Sequence, residues 1–155
     1  MYAIIRLRGS VNIRPEIKHT LELLRLHRVN HCVVVEENDY NKGMINKAKD
    51  YVAWGEISEE NLETLFENRG RLEGGDILTE EFLHEKTSFT SLKDLAHALF
   101  EGEVKMKDLM GYKIKPLFRL HPPRKGHKGI KRNFKVGGEL GYHGDKINEL
   151  LHKMR

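Results

Sequence analysis

The sequence predicts an α+β fold. A β-α-β-α-β unit occupies residues 1–57, a small acidic helical subdomain residues 58–112, and a basic loop with a docking C-terminal helix residues 113–155. Three observations predict it. In the first segment, β-branched runs alternate with apolar stripes at helical spacing. In the second, Ser58 and Ser91 each stand just ahead of an apolar helical face, where a side-chain oxygen caps a helix. In the third, prolines and glycines break regular patterns until a final apolar stripe at helical spacing.

Taken in order, Tyr2 to Arg8 reads as an edge-to-core strand, with Ala3, Ile5 and Leu7 on one face and Arg6 and Arg8 on the other. Pro15 opens a helix, because its fixed φ and missing N–H suit a first helical position. Ile17, Leu21 and Leu24 form that helix's buried stripe. Cys32 to Val35 fits a central strand. Lys42 to Val52 is helical again, burying Met44, Ile45, Ala48 and Tyr51, and Val52 to Ile57 supplies a third strand. This order implies one small sheet with both helices on one face, although it leaves strand direction open.

After Ser58, Leu62, Leu65 and Phe66 make an apolar face that Gly70 ends, with Ile57 stapling to Leu62. Ser91, with Asp94 three residues on, starts a helix whose face is Leu92, Leu95 and Leu99 and which Gly102 closes. A helical turn is expected near Lys107 to Met110. Past the loop, Asp145 caps a last helix carrying Ile147, Leu150, Leu151 and Met154. The basic loop is thereby tethered at both ends.

The charge is segregated. Lys113 to Arg155 holds twelve Lys and Arg against three acids, whereas Glu56 to Glu103 holds thirteen acids against four bases. The net +4 therefore hides two opposed blocks. Many of the acids crowd helix N-termini, where the dipole favours them. The cations in HPPRKGHKGIKR, His121 to Arg132, have no such structural role and suit a polyanion with closely spaced phosphates.

A single cysteine, Cys32, excludes an internal disulfide and a Cys-rich zinc site. His27 and His31 are four apart, but they lie where helix gives way to strand and no further ligand completes a set. No metal or other cofactor is expected. No run is long enough to cross a membrane, and MYAIIRLRG lacks the order of a signal peptide, so the expected location is the cytoplasm. No acid is isolated among apolar residues in the manner of a tuned catalytic carboxylate.

Basic patches are distributed instead. Arg6 and Arg8 share a strand face. Arg14, Lys18, Arg25, His27, Arg28, Asn30 and His31 gather in and after the first helix. Asn41, Lys42, Gly43, Met44 and Lys47 start the second, whose N–H groups offer a phosphate site. Arg124, Lys125, His127, Lys128, Lys131 and Arg132 crown the basic loop. Patches on several faces suit a folded RNA that wraps the protein, and no single recognition helix for DNA stands out.

RLRG (Arg6 to Gly9), LELLRLHRVNHCVVV (Leu21 to Val35), GMINKAKDYVAWGEI (Gly43 to Ile57) and GGELGYHGDKINELLHKMR at the C-terminus resemble large-subunit ribosomal protein thirty. The resemblance is to its archaeal branch, whose eukaryotic counterpart is large-subunit protein seven. It implies an antiparallel three-stranded sheet, similar to a truncated ferredoxin-like fold. It also implies a non-enzymatic role in the large subunit, binding large-subunit rRNA near the 5S rRNA and supporting assembly and translation. The expected partners are that rRNA and neighbouring ribosomal proteins, with no membrane, no small-molecule substrate and no homo-oligomer. By the family pattern, Arg25, His27, Arg28, Asn30, His31, Lys42, Gly43 and Met44 contact rRNA, while the loop contacts rest on charge alone. Trp54 and Gly55 fit either an approach to RNA or a packed strand. The bacterial members end near the position of Ile57, and the long basic N-terminal extension of the eukaryotic ones is absent, which favours an archaeal source.

The sequence also admits two other functions. One is a free-standing nucleic-acid-binding regulator. The other is a small phosphatase of acyl phosphates using Arg14 and Asn41, which would need both in one anion cradle.

Overall fold

The computed structural model describes all 155 residues. Five strands, β1 (Tyr2–Arg6), β2 (His31–Val35), β3 (Val52–Glu56), β4 (Phe118–Arg119) and β5 (Gly141–Tyr142), form one sheet in the order β4-β2-β1-β3-β5. β1 pairs antiparallel with β2 and β3, as the resemblance implies, with Ile4 opposite both Val33 and Trp54. The expectation of three strands needs correction. β4 adds to β2 antiparallel and β5 adds to β3 in parallel, so the sheet is mixed. Both additions come from the basic segment and are two residues long, too short to show a period of two.

β1 is the central strand, and all five of its residues are buried. Its two faces feed two separate cores. Tyr2 and Ile4, with Val33 and Val52, pack against α1 (Pro15–Leu23) and α2 (Asp39–Lys47) through Leu21, Leu24, Ile45 and Ala48. Both helices thus lie on one face. Ala3 and Ile5, with Cys32, Val34 and Ala53, face the opposite way, into a larger core built with α3 (Glu59–Arg69), α5 (Leu92–Phe100) and α6 (Ile147–Met154). The acidic segment and the C-terminal helix therefore form a second cover on the sheet.

The expected caps position these helices. Ser58 accepts from the Asn61 N–H at 3.2 Å and Ser91 from the Asp94 N–H at 3.1 Å. Gly70 follows α3 and Gly102 turns the chain after α5 with φ +80°. A 3-10 segment, Met106–Tyr112, stands where a helical turn is expected. An additional helix, α4 (Glu80–Lys86), lies outside the expected elements and is capped by Thr79, which accepts from the Phe82 N–H at 3.3 Å.

The start of α6 also differs. A 3-10 turn, Gly144–Lys146, runs directly into it without a side-chain cap, so Asp145 contributes only a backbone carbonyl, accepting from Asn148 Nδ2 at 2.9 Å. Asn148 is the tether. Its Nδ2 donates to the Glu56 carbonyl at 3.1 Å and its Oδ1 accepts from the Ser58 N–H at 3.0 Å, pinning α6 to the β3–α3 junction.

Candidate nucleic-acid interface

Arg6 lies on the α1/α2 face of the sheet, so its side chain is buried, with 3% exposure. Its guanidinium is spent inside the protein. Nη1 donates to the Leu26 carbonyl at 2.8 Å, Nε to the Arg8 carbonyl at 2.9 Å and Nη2 to Ser10 Oγ at 2.7 Å. Direct phosphate contact by Arg6 is therefore corrected to a positioning role: it clamps the turn after α1 to the exit of β1.

That turn has a defined geometry. Leu26 N–H donates to the Leu21 carbonyl at 2.8 Å and Arg25 N–H to the Glu22 carbonyl at 2.9 Å, the paired bonds of a Schellman termination. Arg25 occupies the left-handed position with φ +61°, where glycine is usual, and Asn30 is left-handed as well, with φ +67°. Between them His27 and Arg28 are exposed. The Asn30 N–H donates to the Arg6 carbonyl at 2.8 Å and its own carbonyl accepts from the Leu120 N–H at 3.0 Å, so the turn is held from both sides.

His31 departs from its expected role at the surface. It is buried in β2, and burial, reinforced by the neighbouring Arg119, His27, Arg28 and Arg6, pulls its pKa below the usual imidazole value. A neutral, buried ring does not offer a charge to phosphate. Arg28 and Arg119, both exposed, mark a positive rim that continues from the turn onto β4, where Arg119 pairs in register with His31.

A second patch assembles residues far apart in sequence. Arg8, Asn12 and Arg14 share a hollow of about 450 Å³ with Lys131 and Asn133 of the basic loop. Arg8 stacks over Tyr51, 5.0 Å from the ring centroid, and donates to the Asp50 carbonyl. Lys18 stands one turn further along α1 from Arg14 and is exposed.

The basic loop itself is stitched down. His121 and Arg124 N–H groups donate to the Met154 and Lys153 carbonyls, both at 3.1 Å, tying its start to the end of α6. Glu139, 8% exposed, anchors its far side. Its Oε1 accepts from the Lys128 N–H at 3.4 Å, its Oε2 lies 4.0 Å from His127 Nδ1, and its N–H donates to the Gly129 and Arg132 carbonyls. His127 is half-buried, and burial lowers its pKa despite Glu139, so it too is neutral near pH 7. Arg124, Lys125, Lys128, Lys131 and Arg132 point outward and have no carboxylate within 4.0 Å.

The second helix starts ahead of the expected Lys42, so the N–H groups of Asn41 and Lys42 are already taken within its first turn. α2 begins at Asp39, and Asn38 Oδ1 already accepts from the Asn41 N–H at 2.7 Å, while the Lys42 N–H donates to the Asn38 carbonyl. Gly43 and Met44 fall inside the helix, and Lys42 and Lys47 remain exposed. Met44 and Asn41 instead border an apolar hollow of about 270 Å³ with Arg25, Leu23 and Tyr40. Tyr40 is 70% exposed, a flat ring beside two cationic elements that suits base stacking. Neither Tyr40 nor Arg119 stands out in the sequence. The ring sits in a polar run, and the arginine joins the turn only through the β2–β4 register.

Trp54 packs within the sheet, 5.1 Å from Tyr2 and 4.6 Å from Tyr142. Arg14 and Asn41 border different hollows and form no common cradle. No cluster of three or more His, Cys, Asp or Glu has the arrangement of a metal site.

A family model described as ribosomal protein L30p/L7e matches residues 2–52, which is β1 through the first residue of β3. The chain is 57% identical to the large ribosomal subunit protein uL30 of Methanocella arvoryzae and 55% identical to that of Methanothrix thermoacetophila, over 100% of both chains in each case. The protein of the same name from Methanocorpusculum labreanum is 52% identical over 155 residues, again the whole of both chains.

Proposed function

The chain belongs to the uL30 family of the large ribosomal subunit, in its archaeal branch, and from that premise we propose that it binds large-subunit rRNA in the neighbourhood of the 5S rRNA. In this reading it acts in the cytoplasm as a single copy among neighbouring ribosomal proteins, and it supports subunit assembly and translation. The family is structural and non-enzymatic, in keeping with Arg14 and Asn41 lying apart.

One observation carries the proposal. The outward cations stand on loops whose backbones are fixed from beneath by buried polar residues, Arg6 under the α1–β2 turn and Glu139 under the basic loop. A scaffold that orders its loops while leaving their charges unpaired is pre-organised for a phosphate backbone.

The test is protection mapping on large-subunit RNA with its 5S RNA, reconstituted with and without the chain. Added protections in segments neighbouring the 5S RNA support the proposal. Protections confined to distant segments refute the placement, and none at all refutes the binding.

A further inference from the structure

Between the end of α3 and the β4 edge lies a hollow of about 200 Å³ lined by Arg69, Arg71, Gly75, Lys115, Leu117 and Arg119. Four of its six lining residues are cations. None of them has a carboxylate within 4.0 Å, and Arg69 Nε is buried without a hydrogen-bond partner. Arg71 makes one bond, donating to the Gly70 carbonyl at 3.0 Å.

The convergence is built by the fold. The Lys115 N–H donates to the Arg71 carbonyl at 2.9 Å, and the Glu73 N–H to the Lys113 carbonyl at 2.7 Å, which sets the two segments side by side. Leu72 bridges to Ile114 between them. Phe66, one turn before Arg69 on α3, packs edge-on against Phe118 with centroids 5.2 Å apart, which fixes Arg119 next to that helix end. Arg69 in the last turn of α3 has a partial structural reason, since a cation complements the carbonyl end of the helix. That accounts for one charge and leaves three.

Like charges gathered in a hollow repel one another, and an anion with several acceptor oxygens relieves the repulsion and satisfies the orphaned donor. Guanidinium groups match the oxygens of a phosphodiester in a planar, two-point fashion. Arg119 belongs both to this hollow and to the rim described above, since it stands opposite His31 in the β2–β4 register.

We infer that this hollow is a phosphate site for RNA, occupied as the strand that meets the α1–β2 turn continues over the β4 edge. The inference deepens the proposed rRNA binding and rests on it. It assigns a role to Arg69, Arg71, Lys115 and Arg119, and so draws the acidic segment into the RNA surface through Arg69 and Arg71.

The test compares the full chain with two variants, Lys115→Gln/Arg119→Gln and Lys86→Gln/Lys93→Gln, in binding to large-subunit RNA across a salt series. The second variant removes the same formal charge elsewhere. The hollow variant is expected to make the slope of log affinity against log salt shallower by about one, the loss of one phosphate contact. The control is expected to keep the parent slope, and Arg119→Lys, alone, to retain more of it than Arg119→Gln. Melting in chloride confirms folding, and Arg71→Gln replaces the double variant if that one is unstable. An unchanged slope in the hollow variant overturns the inference. If a Lys125→Gln/Lys128→Gln variant then still lowers the slope, the wider rRNA reading stands without it. Absence of salt-dependent binding by the parent chain overturns both.

Discussion

Arg6 turns its charge inward, and it does more for the surface there than a solvated arginine would. Its three hydrogen bonds join β1, the Ser10 turn and the end of α1. Arg6→Met strands buried acceptors and is expected to cost about 2–4 kcal/mol in urea unfolding. Arg6→Lys should recover little, because an ammonium cannot span three acceptors as a fork does. A change within about 0.3 kcal/mol for Arg6→Met contradicts the clamp.

The buried histidines add a pH dependence. Burial lowers the pKa of His31, His127 and His143. The unfolded chain takes up their protons near pH 6.5 while the folded chain resists, so the unfolded state binds more protons in the window just below. Their contribution is present above pH 6.5 and is lost as pH falls through the folded-state values. The urea midpoint at pH 5.5 should lie below that at pH 7.5. An equal or higher midpoint contradicts this. Cys32, with its thiol pushed up to about 12 by full burial, should stay inert to thiol reagents until the protein unfolds.

At the scale of elements, what was legible is what local chemistry dictates. Pro15, Ser58 and Ser91 announce helix starts because capping is a matter of a few adjacent atoms. The β-α-β-α-β order was readable for the same reason. The beginning of α2 falls before the apolar stripe because Asn38 sets it. β4 and β5 were invisible because two residues carry no period, and their pairing depends on distant strands. Alternation alone puts Arg6 on a polar face, because it names two faces without revealing that both are covered. Of the candidate site, the exposed cations were legible as charge, whereas their grouping and the inward turn of Arg6 and His31 depend on tertiary packing.

Gly55 shows how closely elements meet. A Cβ there would fall onto the Gly144 carbonyl oxygen and sit 3.0 Å from Ile147 Cβ, so β3 and the start of α6 touch without room for a methyl group. Gly55→Ala should cost about 2 kcal/mol or more and lower the melting temperature by several degrees. A neutral effect would show that α6 is not seated as described.

For the molecule as a whole, charge and architecture are arranged together. The sheet is covered on one face by α1 and α2 and on the other by the acidic segment and α6, which leaves the cationic turns and the basic loop at its margins. Charge reversal at Lys125, Lys128 and Lys131 should weaken binding to large-subunit RNA and flatten its salt dependence, with the melting temperature unchanged. A parent-like salt slope would mean that the loop does not touch RNA. The loop's glycines and prolines do not make it a free tail, because Glu139 and the end of α6 hold its backbone.

The central claim is that these margins seat the chain in the large subunit through RNA. The most direct test is sedimentation of a tagged chain through a sucrose gradient after a high-salt wash, with and without ribonuclease. The account predicts that the chain travels with large subunits and is released when the RNA is digested. Recovery only at the top of the untreated gradient would contradict it.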